Sequence, residues 1–579
     1  MNFSPDTLSR QQILPEQNLP KGADLLAEGR QAASEWHVQP AAFQREFQVS
    51  SEWEYKHRMM GEGRVMQHAH LGYRSLETTL EALRDIYRSC AEKDVRIDRF
   101  GMCLDWSMGH KTADRAGGMR GTGVILDGPD DFRRITEAAP AAMHFGDFML
   151  GFPGAFENAK YALAAGATTL GNLGQYFTFR LPGDNDDVTA TAETLRALGL
   201  ISAQDVPVLV HSNLDDGFAA SFHDLCSALG MAIVEKHIVT KLCSARYTVC
   251  YGHHFTDPVT RIAFQQALTQ ILGESPGSQV YGATVLYKGE NAQNYASLAS
   301  YLLPDILAQR QLPSGHAVNP VPVTENTRIP APDEVIDAQL NLARMSELAA
   351  GFEPLLDLSK VAGIRDKILS GAEAFSTRLF QGFKDADLDP LDPFEMLLTL
   401  RRMGARAIEN RFGSSEPIVP AATFLELKER RDRICRGATG EKLRRLSTRK
   451  IRILTACGDV HEHAKTLLDM VFERCGFEII DGGVSANLED LASLAENADV
   501  IALSTWNGVA LRSAEELLER MQKAGLERPL FIGGRLNEIP AESNTGLPQD
   551  VTGQLRDIGA YPCADIDEFA NALEHLFSA

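Results

Sequence analysis

Residues able to do chemistry gather in two parts of the chain. In the first, the ends of short apolar runs carry Asp105, His144, Asn172, His211, Lys236, Tyr251, His253, His254, Tyr287 and Lys288. If those runs are parallel strands, such residues share the carboxyl edge of a sheet, where α/β folds place their ligands. His253-His254 could exchange protons near neutral pH, or could be a rim pair bonded to backbone. Arg115 and Arg120 lie in a glycine-rich stretch, Ala116-Gly117-Gly118-Met119-Arg120-Gly121. Two guanidinium groups there could grip a carboxylate or phosphate, or could pack on a rim. His144, Asn172, His253 and Arg120 are the catalytic candidates of this part. In the second part, Asp459-Val460-His461 sets an imidazole two residues beyond a carboxylate where another apolar run ends.

The elements that must position these residues follow from periodicity. Apolar runs at 100–104, 142–148, 206–211, 231–235, 247–251 and 280–286 alternate with helix-length amphipathic stretches. That alternation predicts parallel β with covering helices. Six or more units over this length predict a (β/α)8 TIM-like barrel. The expected division is an N-terminal arm (1–74), the barrel (75–345), a helical extension and linker (346–448) and a second α/β domain (449–579). The extension is interrupted at 387–393, and its basic run 442–452 reads as solvated linker. The last domain restarts the alternation, with strands at 451–456, 477–480, 500–504 and 530–532, and reads as doubly wound and flavodoxin-like.

Composition sets limits. The 579 residues carry 57 Lys and Arg against 78 Asp and Glu, a formal charge of −21. So acidic a balance argues against nucleic acid as a partner. No run reaches the roughly 18 apolar residues of a membrane span, and residues 1–21 lack the apolar core of a signal peptide. The nine scattered cysteines contain no CxxC, which fits reduced thiols in the cytoplasm.

The segment Asp459-Val460-His461-Glu462-His463-Ala464 resembles the Asp-x-His-x-x-Gly signature of cobalamin-binding domains. Ser504-Thr505-Trp506-Asn507-Gly508 stands where that family has Ser-x-Leu, and Gly533-Gly534 where it has Gly-Gly. The resemblance implies His461 as the lower axial ligand to cobalt, a role suited to neutral imidazole. Asp459 would fix the imidazole tautomer, and Ser504 would bond the displaced base. Gly508, Gly533 and Gly534, with Trp506, would border the nucleotide tail. Ala464 departs from the motif glycine and sets a methyl beside that tail.

The barrel is similar to the large subunit of glutamate mutase (methylaspartate mutase), an adenosylcobalamin-dependent carbon-skeleton mutase. The likeness runs through 169–174, 248–252 and Thr324-Glu325 with Ile329-Pro330. It implies that Glu325 contacts the adenosyl ribose. Leu173 stands where the family has its catalytic glutamate, Phe179 where it has a substrate-contacting tyrosine, and Val321 where it has a lysine. No arginine stands beside Gly151 in the sequence, where the family grips a carboxylate. A carboxylate and an ammonium could not be buried there without partners, so glutamate is not the expected substrate. The expectation is a radical rearrangement of another small molecule by a homodimer using adenosylcobalamin. The alternatives are a corrinoid-dependent methyltransferase and a non-catalytic cobalamin sensor.

Overall fold

The computed structural model describes residues 8–118, 120–181, 186–215, 221–355, 357–459, 463–506, 508–539 and 547–577. These form two compact units: residues 1–177 with 186–422, and 423–579 with 178–185.

In the first unit, six strands lie parallel in chain order: β1 (His68–Leu71), β2 (Arg99–Met102), β3 (Ala142–Phe145), β4 (Thr169–Leu170), β5 (Leu209–Asn213) and β6 (Arg246–Cys250). β7 (Gln279–Val280) and β8 (Ala317–Val318) form a second parallel pair. Parallel bridges join Tyr251 to Val280 and Gln67 to Val318, so β6 adjoins β7 and β8 adjoins β1. A helix follows each strand in sequence, from Leu76–Ala91 after β1 to Pro332–Phe352 after β8. Their starts are written locally. Ser75, Asp186 and Asp257 accept hydrogen bonds from the Thr78, Thr189 and Thr260 amides, satisfying donors at helix N-termini that otherwise lack partners. Most strand residues are buried because helices cover one face and side chains fill the other.

Three expectations need correcting. The residues read as an arm contain β1, the first strand of the sheet, and the helices Gly22–Gln31 and Glu52–Gly61. The apolar run 231–235 belongs to the helix Leu225–Lys236, buried on nearly all sides, and such a helix shows no polar stripe to mark its period. Lys236 therefore ends a helix, where its Nζ donates to the Ile271 carbonyl. The run 280–286 keeps strand geometry only at its first residue, the end of β7.

The amino ends of the strands are closed by the helix Glu52–Gly61. Lys56 Nζ donates to the carbonyls of Gly277 (2.9 Å), Ser278 (2.7 Å) and Gly315 (2.7 Å). Glu52 Oε1 accepts from Arg99 Nε at 2.8 Å and lies 3.5 Å from Lys56 Nζ. Arg99 reaches on to Gln279 (2.9 Å) and His68 Nδ1 (3.2 Å). Glycine at 101 makes room above, since a Cβ there would stand 2.5 Å from His70 Nδ1 and 2.8 Å from His68 Nε2.

A second buried acid lies on the helix Leu225–Lys236. Glu235 accepts from Tyr247 Oη at 2.7 Å, and burial pushes its carboxyl up to about 7. With the folded value raised, its favourable contribution is complete below about pH 4.5 and is lost as pH rises through 7. Glu235→Gln should therefore gain stability relative to wild type across that window. The gain should reach about 3 kcal/mol, measured by chemical denaturation at pH 5 and pH 8; a pH-independent difference would mean the acid is solvated.

The helical region divides between the units. Helices Ser359–Asp385 and Pro393–Phe412 lie in the first, separated near the predicted interruption. Ala422–Arg436, apart from its first residue, and Ala438–Ser447 lie in the second. The basic run is not simply linker. Leu443 and Leu446 enter the core, while Lys442 and Arg445 pair with Glu574 at 3.3 Å.

The second unit is a five-stranded parallel sheet of β9 (Arg452–Cys457), β10 (Glu478–Asp481), β11 (Val500–Thr505), β12 (Leu530–Gly534) and, after a small hairpin of β13 (Asn537–Glu538) and β14 (Gln549–Asp550), β15 (Tyr561–Cys563). Its order is β10-β9-β11-β12-β15, the doubly wound flavodoxin-like arrangement expected. Successive side chains serve opposite faces. Ile453, Ala502 and Phe531 pack with Phe472 and Phe569 on one side, whereas Leu454, Ile501, Leu503 and Ile532 pack with Leu517 and Leu555 on the other.

Candidate functional site

In the first unit, polar groups gather where the strands end. Asn172 follows β4, is buried, and accepts the Asn213 amide at 3.1 Å. Asp215 follows β5 and accepts the amides of His253 (2.9 Å) and His254 (3.1 Å). It thereby fixes the turn after β6. His253 Nδ1 pairs with Thr284 Oγ1 at 2.8 Å. Arg261 supports the same turn from below. It pairs with Asp305 at 2.5 and 2.7 Å and donates to the carbonyls of Gly252, Phe255 and Tyr281.

Asp147 follows β3. Gln175 Nε2 approaches it at 3.3 Å, and burial raises its carboxyl to about 6 against a hydrogen bond from Asn172. Such an acid can serve as donor or acceptor near neutral pH. Burial, with the charges of Asp147 and Glu325, holds the Cys103 thiol well above its usual range. Those three groups, from the ends of β3, β8 and β2, therefore share one neighbourhood. Glu325 itself is exposed.

Other sequence candidates lie differently. His144 is inside the strand layer, not at its edge: its ring centroid is 4.2 Å from that of His211, and its Nδ1 is 3.3 Å from the Thr169 carbonyl. Burial first, then Arg99, keeps His68, His144 and His211 well below the usual imidazole range, and His70 near 4. These imidazoles are neutral at pH 7. Arg115 is buried and held by the Leu126 carbonyl and Asn158 Oδ1, both at 2.5 Å. It cannot join Arg120, which is exposed, in gripping an anion. Leu173 is fully buried core. Asp147 and Cys103 escaped the sequence reading because each lies inside an apolar run, 142–148 and 100–104, rather than beyond its end.

In the second unit, the motif residues meet along one edge. Ser504 on β11 is in register with Cys457 on β9 and Gly533 on β12, and Thr505 with Gly534. Asp459 is buried. Its Oδ2 accepts the Trp506 amide at 2.6 Å and the Thr505 hydroxyl at 3.2 Å. Gly534 has φ +96°, and a Cβ there would stand 2.1 Å from the Thr505 carbonyl oxygen. Gly508 has φ +66° and abuts Ile539. Ala464 is half-buried at the start of the helix His463–Cys475. His461 lies outside the described residues. Among the described residues no group of three or more His, Cys, Asp and Glu is disposed to hold a metal ion.

The edge fits a cobalamin tail on one further observation. Ser485, in the loop after β10, donates its amide to the Asp459 carbonyl at 3.1 Å. Its hydroxyl is buried without a hydrogen-bond partner among the described residues, a costly state unless a ligand supplies one. Ser485 carried no sequence signal.

Residues 449–553 match the family model described as B12 binding domain, so the chain carries a cobalamin-binding domain there. It is 30% identical over 96 residues to a methionine synthase of Mycobacterium leprae (strain TN), a match covering 15% of this chain and 8% of that protein. Among solved structures, it is similar to a novel cobalamin-binding protein from Desulfitobacterium hafniense DCB-2, with 19% identity, a TM-score of 0.19 and coverage of 27% of this chain and 79% of that one. It is also similar to the monomethylamine corrinoid protein of Methanosarcina barkeri, with 15% identity, a TM-score of 0.19 and coverage of 49% and 100%. Among the described residues, no helix is long and apolar enough to cross a membrane.

Proposed function

We propose that this chain is a cobalamin-dependent enzyme whose first unit is a closed (β/α)8 barrel, and that it rearranges a small substrate with adenosylcobalamin. The observation that carries the reading is the pair of parallel bridges linking β6 to β7 and β8 back to β1. They support one ring of eight strands, whose carboxyl ends would carry Asp147, Asn172 and His253. Active sites of such barrels lie at that end.

Adenosylcobalamin supplies radical chemistry when bound; the protein's part is to bind, orient and exclude water. Asp459, Ser504, Ser485 and the glycines at 508, 533 and 534 would hold the nucleotide tail, His461 would ligate cobalt, and Ala464 would border the tail. Glu325 would take the ribose. Asp147 and Asn172 orient the substrate, and His253, fixed by Thr284 and Asp215, holds or moves a proton at Nε2. His144 supports this layer from within the barrel, and Arg120 would meet the substrate from its exposed position. Leu173 leaves no acid to hold an amino group where glutamate mutase has one, so glutamate is not the substrate proposed.

The methionine synthase likeness favours a second reading, a corrinoid methyltransferase, but it covers only 96 residues, 15% of this chain. Of the helices that could form a separate cap on that domain, those ending at Asp385 and Phe412 belong to the first unit. That division supports the mutase reading. Purified protein should bind adenosylcobalamin and, with substrate, give an organic-radical signal by electron paramagnetic resonance. Methyl loss from bound methylcobalamin to an acceptor, with no radical signal, would establish the methyltransferase instead.

A further inference from the structure

Arg535 directly follows the Gly533-Gly534 pair, and its amide donates to the Thr505 carbonyl at 2.9 Å. Its guanidinium carbon stands 4.4 Å from the centroid of the Trp506 ring. Trp506 is 44% exposed, while its own amide is tied to the Asp459 carboxylate. Arg535, Trp506 and Asp459 thus line one stretch of the carboxyl edge beside Ser504. The neighbouring cation is differently placed: Arg512 has Glu538 at 3.2 Å. Arg535 is half-buried, and no carboxylate pairs with it among the described residues, in a chain of net charge −21. An arginine kept from abundant acids and held over an indole is arranged for an anion from outside.

We propose that Arg535 binds the phosphodiester of the cobalamin nucleotide tail, with Trp506 as the platform that orients its guanidinium. The assignment rests on the cobalamin reading above. It gives Trp506, which replaces the leucine of the signature, a task that leucine cannot perform. Arginine suits it because the planar fork meets two phosphate oxygens at once.

The test compares three corrinoids on the full chain: hydroxocobalamin, pseudocobalamin (same phosphodiester, different base) and dicyanocobinamide (neither base nor phosphodiester). Arg535→Gln should weaken the first two equally, by roughly 10–100-fold, the value of a charged hydrogen-bonded pair, and leave cobinamide binding unchanged. It should also lower the salt dependence of cobalamin affinity, and Arg535→Lys should recover part of the loss. Equal losses for cobalamin and cobinamide, or no loss, would overturn the proposal. If cobinamide binds wild type too weakly to measure, the change in salt dependence decides. Failure of wild type to bind any of the three would instead sink the cobalamin reading.

Discussion

Glu52→Ala is expected to destabilise the first unit by about 3–5 kcal/mol, the cost of stripping one partner from a buried ion network. Glu52 is 1% exposed and faces two cations, Arg99 at 2.8 Å and Lys56 at 3.5 Å. Its removal leaves both in the protein interior. With total stabilities of about 5–15 kcal/mol, such a loss would bring the unit near unfolding at 37 °C. The deficit should depend on pH. Burial lowers Lys56 to about 8 even against the attraction of Glu52, so without Glu52 it falls further. An amine whose folded value is depressed adds stability as pH rises, because the unfolded chain holds the extra proton. The deficit of Glu52→Ala should therefore shrink between pH 6 and pH 9, whereas Glu52→Gln, which keeps an acceptor for Arg99, should fall between the two proteins. Denaturation monitored by near-ultraviolet circular dichroism reads all three. A loss below 1 kcal/mol for alanine would mean that water reaches the network.

His461→Ala is the second large effect. The variant should lose the absorption spectrum of a base-off, histidine-ligated corrinoid. It should also lose more affinity than the roughly 10–100-fold that removing an outer partner of a ligand costs. Asp459→Asn gives that smaller comparison. The Asp459 carboxylate already receives the Trp506 amide and the Thr505 hydroxyl on Oδ2; an imidazole N–H would be one more donor to it. A spectrum unchanged in His461→Ala would transfer the ligand role elsewhere, with His463 the first residue to replace next.

The second unit was largely legible because its chemistry sits on regular strands. Once Cys457, Ser504 and Gly533 are each at a strand end, parallel pairing brings them into register, and no long-range detail is needed. The first unit was harder. β1 reads His-Ala-His-Leu, with polar side chains at two of its four positions, so hydropathy did not mark it. The helix Leu225–Lys236 erred the other way, being too apolar to show a period. Arg115 looked like an anion grip because its glycine-rich surroundings are local; the Asn158 that holds it is 43 residues away. The grouping of Cys103, Asp147 and Glu325 depends on three strand ends meeting, which sequence spacing does not encode.

The grip of Lys56 on three carbonyls bears on how the protein is made. Its acceptors lie 221, 222 and 259 residues further along the chain. At about 5–20 residues per second, the ribosome needs on the order of 10–50 s to deliver them. Throughout that interval the ammonium must stay hydrated, so the helix bearing it cannot settle beneath the strands already synthesised. Nascent chains halted before Gly315 should remain protease-sensitive at their amino-terminal region and should be the species that molecular chaperones hold.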